Sequence, residues 1–189
     1  MERLPPLDTP RLRLRTIERD DVPALYAVFS DPRVMRYWSS APMQDIAEAV
    51  ALHDDIVAMM RNDTLYQWGV ERLGAGTLIG TVTLYRIDVA HRRAEIGFAL
   101  GSAYWGLGHA SEAVGAVVAH AFDARGLHRL EADADPRNHA SLRVLEKLGF
   151  VREGLARQRY QLYGELQDSV MLGLLAPDWR SRAAAAPAR

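Results

Sequence analysis

The chain of 189 residues contains no cysteine. That removes disulfides, thiolate metal sites and any mechanism through a cysteine thioester. Net charge is nearly absent as well: 23 lysines and arginines stand against 24 aspartates and glutamates, a formal balance of −1. Such a balance gives no basic bias toward nucleic acid or an anionic membrane, and neither is expected as a partner. No apolar run approaches the length that spans a bilayer, and Met1–Pro6 has no signal-peptide core, so the expected location is cytoplasmic. Three motif classes are also missing. There is no Gly-x4-Gly-Lys-Ser/Thr phosphate loop and no Gly-x-Ser-x-Gly elbow for a serine nucleophile. The six histidines show no His-Glu-x-x-His or similar spacing, so no metal is expected.

What is present suits one soluble domain with a proper core: 49% of residues are hydrophobic and 25% charged. Arg11-Leu12-Arg13-Leu14-Arg15 alternates as a strand with one wet face. Asp20 or Asp21 caps a helix through Phe29, stopped by Ser30-Asp31-Pro32. A second helix spans about Gln44 to Arg61. Strand patterns follow at Leu65–Glu71, Thr77–Tyr85 and Arg93–Leu100. A helix over Ala110–Ala124 carries Ala113, Val114, Val117, Val118, Ala121 and Phe122 as its buried stripe. Then come a strand at Leu127–Ala134, a helix behind Asp135-Pro136 that ends at Gly149, and two strands near Phe150–Tyr160 and Asp168–Leu175 with a turn at Tyr163-Gly164. Hairpins early and βαβ units late predict an α/β (α+β) fold, a mixed sheet covered by helices. The domain is expected over residues 7–176, with 177–189 as a flexible tail.

The most informative segment is Trp105-Gly106-Leu107-Gly108-His109-Ala110, a glycine turn between a strand and a helix. Small residues at a helix start leave backbone N–H groups unpaired and let a ligand approach them, and the helix dipole favours negative charge there. Alone, such a turn also suits a plain tight connection or a dinucleotide site, with Glu131 about where a ribose-binding acid would fall. Ser111 in place of a third glycine and the single further helical crossover count against the dinucleotide.

Tyr104–Ala113 resembles the acetyl-CoA pyrophosphate loop of the GNAT acetyltransferase superfamily. Asn138-His-Ala-Ser141 with Glu146-Lys-Leu-Gly-Phe150 resembles that family's second cofactor motif. Thr9–Arg15 and Ser30–Met35 resemble the ribosomal-protein N-terminal acetyltransferase (RimJ/RimL-type) branch. The order and spacing hold from about Leu7 to Leu175. Trp105 departs from the Arg or Gln that usually opens the loop, which shifts the expected phosphate contacts onto backbone N–H groups.

The resemblance implies a mostly antiparallel sheet of about six to seven strands, splayed between the fourth and fifth, with pantetheine lying in the gap as an added strand would. It implies acetyl-CoA as co-substrate, held by Phe98, Ala99, Leu100, Trp105, Gly106, Leu107, Gly108, His109, Ala110, Ser111, Asn138 and Ser141. At His109 the backbone N–H is expected to matter more than the ring. The implied activity is transfer of the acetyl group to a primary amine, on a protein N-terminus or a small molecule. A non-catalytic acyl-CoA-binding sensor on the same scaffold is the alternative; a monomer or a homodimer fits either.

Alternation puts Ile96, Phe98 and Leu100 on one strand face and Glu95, Gly97 and Ala99 on the other. Amine acetylation needs a group that removes the ammonium proton, and Glu95 is the candidate base. A plain ion pair of Glu95 with Arg13 or Arg92 is the competing reading. A backbone N–H of this strand is the candidate oxyanion donor. Asn138 and Ser141 share one helix face. Ser141 is the candidate proton donor to the departing sulfur, with Tyr104 a further one; helix capping would equally explain Asn138 and Ser141. Met35–Ser40, the second helix and the Tyr160–Asp168 turn are expected around the amine side. Tyr37, Trp38, Tyr66, Trp68, Tyr85, Tyr160 and Tyr163 are candidates for an aromatic rim.

Overall fold

The alternation in Leu12–Arg15 sorts as its pattern dictates. Leu12 and Leu14 are fully buried, whereas Arg13 pairs with Asp8 and Arg15 with Asp21 and Glu71. The computed structural model describes residues 4–162 and 164–185. Its strands are Leu7–Asp8 (β1), Leu12–Thr16 (β2), Leu65–Arg72 (β3), Leu78–Asp88 (β4), Arg93–Leu100 (β5), Arg129–Ala134 (β6), Val151–Leu162 (β7) and Glu165–Leu175 (β8). Its helices are Val22–Phe29 (α1), Pro32–Met35 (α2), Ile46–Arg61 (α3), His109–Asp123 (α4), His139–Leu148 (α5) and Ala176–Ala185 (α6).

One sheet runs β1-β2-β3-β4-β5-β6-β8-β7. Eight strands replace the expected six or seven because β1, two residues long, is too short to leave a periodic trace. Every pairing is antiparallel except β5 with β6, where Arg93, Ala94 and Glu95 lie opposite Arg129, Leu130 and Glu131. Beyond Glu95 and Glu131 these two strands share no paired residues. The expected splay is therefore present, between β5 and β6 once β1 is counted.

The six apolar residues read as the buried stripe of α4 are at most 1% exposed. This helix covers one sheet face, where Trp68 of β3 meets the ring of its His120 edge-on at 5.4 Å. α1 packs on β4 and α3 on β3, and α5 lies beside α4. Two helices were not expected. Asp31-Pro32, read as a stop, also starts α2: Asp31 Oδ1 accepts from the Arg33 N–H at 2.9 Å, and proline suits a first helical turn. Residues 177–185, read as the beginning of a tail, continue α6. The turn residue Tyr163 lies outside the described residues.

Candidate active site

The glycine turn gets its shape from two residues that L side chains avoid copying. Gly106 and Gly108 have φ of 73° and 80°, the left-handed region that glycine enters without penalty. Gly108 is the N-cap of α4 and has no side chain to offer, so no side-chain cap closes the helix. The first-turn N–H groups of a helix have no i−4 acceptor of their own. At α4 they stay available as donors at the positive end of a dipole that favours an anion.

The turn is fastened from far away in the chain. Glu112, in the first turn of α4, accepts the Thr9 hydroxyl at 2.6 Å, the Arg11 backbone N–H at 2.9 Å and Arg11 Nε at 2.6 Å. Arg11 Nη1 reaches on to the Leu107 carbonyl at 2.8 Å. Burial alone would raise the Glu112 carboxyl, but these donors outweigh it and hold the group below the ordinary glutamate range. From the other side, the Trp105 indole N–H donates to the Leu100 carbonyl at 2.7 Å, tying the turn to the end of β5. Sequence reasoning missed the Thr9–Arg11–Glu112 clamp, because its partners are about a hundred residues apart.

The start of α5 is built differently. Asn138 is its N-cap, and Asn138 Oδ1 accepts the Ser141 backbone N–H at 3.1 Å. The capping reading of Asn138 is thus realised, while the Ser141 hydroxyl has no protein partner among the described residues.

Two cavities meet at these helix starts. One, about 520 Å³, is bordered by Phe98, Ala99, Leu100, Trp105, Gly106, Gly108, His109, Ala110, Ser111, Asn138 and Ser141. Those are the residues expected around the co-substrate, save Leu107, which is exposed and turns its carbonyl to Arg11. Arg36, Arg143 and Lys147 add positive charge to this border; of the three, only Lys147 lies in a segment that sequence reading tied to the cofactor. The second cavity, about 530 Å³, lies between the Gln67, Thr81, Thr83, Tyr85 and Gly97 surface of the sheet and side chains of α1, α2 and α3. Tyr37, Trp38, Phe98, Asn138 and Ser141 border both. Phe98, which alternation puts on one face with the buried Ile96 and Leu100, is half-buried where the cavities join.

Glu95 is mostly covered, with its side chain 14% exposed, and pairs with neither Arg13 nor Arg92. Arg86 Nη1 holds both its oxygens, at 2.9 and 3.2 Å. Arg86 itself has φ of 49°, at the irregular stretch of β4 between Tyr85 and Asp88. Burial, then the Glu95 carboxylate, push the neighbouring Tyr85 phenol well above its ordinary range, so it stays neutral. Glu95 does not border the second cavity; Gly97 of the same strand and Asp133 of β6 do. Asp133 accepts the Ser169 hydroxyl at 2.7 Å and lies 3.6 Å from Arg159. Asp133 was not read as a candidate. Only the register reveals it: Glu131 of β6 pairs with Glu95, which puts Asp133 two residues further along β6.

Of the expected aromatic rim, Tyr37, Trp38, Tyr85 and Tyr160 border the second cavity. Trp68 is fully buried, donating to the Pro5 carbonyl at 3.2 Å, and Tyr66 is held by Asp63 and Arg125. Both belong to the core, because the buried β3 gives them an interior to fill. Tyr163 lies outside the described residues. Glu48 and Leu52 of α3, with Gln167 and Asp168 of β8, complete the expected amine side.

Residues 11–151 match the Acetyltransferase (GNAT) domain family. The chain is a GNAT acetyltransferase. An uncharacterised N-acetyltransferase of Bacillus subtilis (strain 168), YoaA, is 36% identical over 173 residues, which cover 92% of this chain and 98% of that one. Spermidine N(1)-acetyltransferase of Escherichia coli (strain K12) is 27% identical over 85% of this chain and 84% of its own. Among solved structures, ribosomal-protein-S5-alanine acetyltransferase from Vibrio fischeri superposes with a TM-score of 0.81 at 25% identity, covering 93% and 98% of the two chains. This GNAT acetyltransferase is thus an enzyme, and in the described residues no helix is long and apolar enough to cross a membrane.

Proposed function

We propose that this acetyltransferase moves an acetyl group from acetyl-CoA to a primary amine by direct attack in a ternary complex. One observation carries the reading: a cavity headed by an uncapped helix start joins a second, carboxylate-bordered cavity at Phe98, Asn138 and Ser141. The first suits the co-substrate, since a glycine-built donor cradle and the nearby Arg36, Arg143 and Lys147 match its phosphates. The unpaired edge of β5 past Glu95 suits its amide-bearing arm. Acetyl-CoA supplies an activated thioester, and the residues do the rest.

An acceptor ammonium first gives up one proton, and Glu95 is the assigned base, acting through a water or once Arg86 yields. The freed nitrogen pair attacks the thioester carbon. A backbone N–H of β5 stabilises the developing oxyanion. As the C–N bond forms and the C–S bond breaks, the amine's second proton passes through water to the Ser141 oxygen while the Ser141 hydroxyl proton goes to the departing sulfur. One proton is released to solvent overall.

Asp133 gives a second reading of the base, because it borders the acceptor cavity and Glu95 does not. Glu95→Gln and Asp133→Asn, compared by turnover and by CoA affinity, separate the two. Loss of a general base lowers turnover by about a hundredfold or more, with CoA affinity unchanged, and most steeply at lower pH. If only Asp133→Asn shows the drop, the base is Asp133; if neither does, the step needs no carboxylate here.

The acceptor is read as a protein N-terminal or small-molecule amine. The opening strand motif and the Vibrio fischeri likeness support a RimJ/RimL-type placement, while the Escherichia coli relative acts on spermidine. Thiol release measured over N-terminal peptides and small amines together decides between them, and silence across the panel despite CoA binding would overturn the transferase reading.

A further inference from the structure

Gln67 stands in β3 between Tyr66 and Trp68, and strand alternation sends it the opposite way from both. Trp68 meets His120 of α4, and Arg125, just past that helix, lies 3.7 Å above the Tyr66 ring. Gln67 therefore faces the other side of the sheet, where it borders the 530 Å³ cavity. It is 6% exposed, yet its amide oxygen and nitrogen meet no hydrogen-bond partner among the described residues. Neither amide atom is enclosed, so the little of Gln67 that is open includes its amide, and it opens on the cavity. A methionine would fill this place without leaving a covered amide unpaired, which costs free energy.

The sheet's register extends the feature. Gln67 lies opposite Thr83 of β4 and Thr83 opposite Gly97 of β5, so the three make one row across the cavity floor. The Thr83 hydroxyl has no protein partner among the described residues either. Gly97 carries no side chain, which leaves the β5 end of the row open beside Phe98, where the two cavities join. From there to β3 is two strand spacings, about 10 Å. The carboxylates that border this cavity stand outside the row, and each already accepts from a protein donor. Glu48 takes the Gln44 N–H, Asp133 the Ser169 hydroxyl, Asp135 the Arg137 guanidinium and Asp168 the Gln158 N–H.

We propose that Gln67 sets acceptor specificity: its amide, with the Thr83 hydroxyl, hydrogen-bonds an uncharged amide or hydroxyl about 10 Å, two strand spacings, from the reacting amine. This rests on the amine-acetyltransferase reading above. A second ammonium at that distance would meet neutral dipoles in place of its water, and burying a charge without a counter-charge is costly.

The test compares kcat and KM for four acceptors of matching length: a short peptide with an amidated end, an amino alcohol, an α,ω-diamine and a plain alkylamine. The wild-type chain has its lowest KM for the peptide or the amino alcohol, and the better of those two tells amide from hydroxyl. Gln67→Met raises that KM by about tenfold, because the acceptor's polar group is then covered without a partner. Its kcat, its KM for the alkylamine and its CoA affinity stay as in the wild type. It also melts no lower than the wild type, having lost an unpaired amide. Should Gln67→Met not fold, Thr83→Val, which removes the neighbouring hydroxyl at similar volume, gives the same pattern at several-fold. A wild-type preference for the diamine, or a variant that keeps the wild-type preference whatever its melting temperature, overturns the proposal. Silence of the wild-type chain toward all four acceptors and the wider amine panel would instead overturn the transferase reading itself.

Discussion

α4 and α5 both begin in the wall of the same cavity, and their first turns are built in opposite ways. Gly108 opens α4 with left-handed backbone and no side-chain cap, while Asn138 opens α5 and satisfies the Ser141 N–H with its own amide oxygen. An N-cap residue contributes about 0.5–2 kcal/mol to a helix. α4 forgoes that contribution and is held instead by tertiary contacts, its buried stripe beneath and the Arg11–Glu112 pair beside its first turn. A helix start left open is a place for something else to bind. A closed one with a free hydroxyl nearby is a place to hold a side chain still.

The largest effect on this contrast is expected at Gly108. A β-branched residue there is strained by the φ of 80°, and its Cβ would sit 3.3 Å from Arg11 Nη2. Gly108→Val should weaken CoA binding by about 10- to 100-fold, as calorimetry would show, since such backbone strain costs of order 1–3 kcal/mol.

Removing the clamp comes next. Glu112→Gln keeps the shape but not the charge, and CoA affinity should fall several-fold as the Leu107 carbonyl loses its tether. The wild-type clamp has a matching pH dependence. A carboxyl held low in the folded state stabilises fully above its ordinary value of 4.5 and loses that contribution as pH falls through the lowered one. Melting curves below about pH 4.5 should therefore drop more for the wild type than for Glu112→Gln. Parallel curves would mean that the clamp contributes nothing.

At α5, Asn138→Ala should lower stability by about 1 kcal/mol, a melting shift of about 2–4 °C for a chain of this size. Asn138→Asp retains the capping oxygen and removes both side-chain donors. If it melts like the wild type but binds CoA more weakly, the amide also faces the ligand.

Smallest of all is Trp105→Gln. Glutamine can still donate toward the Leu100 carbonyl, so CoA affinity should change by less than about threefold.

The same contrast explains what could be read in advance. Glycines and caps act over a few residues, so α4 and β5 were legible to within one position and α5 at its Gly149 end, whereas α5 starts at His139 and not directly behind Asp135-Pro136; the residues expected around the co-substrate, save Leu107, line one cavity. Asp31-Pro32 misled because proline ends one helix and begins another with the same ring. Contacts set by the sheet's register were invisible: Arg86 reaches Glu95 only because β4 and β5 pair across Tyr85, and Asp133 borders the second cavity only because β6 aligns with β5 at Glu95. Tyr66 and Trp68 looked like rim residues because nothing local says that β3 is buried among its neighbours.

The Arg11–Glu112 pair also means that the glycine turn is not a portable part. Its six residues are contiguous, yet the carbonyl of Leu107 and the first turn of α4 are oriented by a hairpin near the N-terminal end of the domain. A peptide or a transplanted loop carrying Trp105–Glu112 would bring the glycines without the geometry. The glycine turn and the first turn of α4 keep this geometry only with the N-terminal hairpin docked against them.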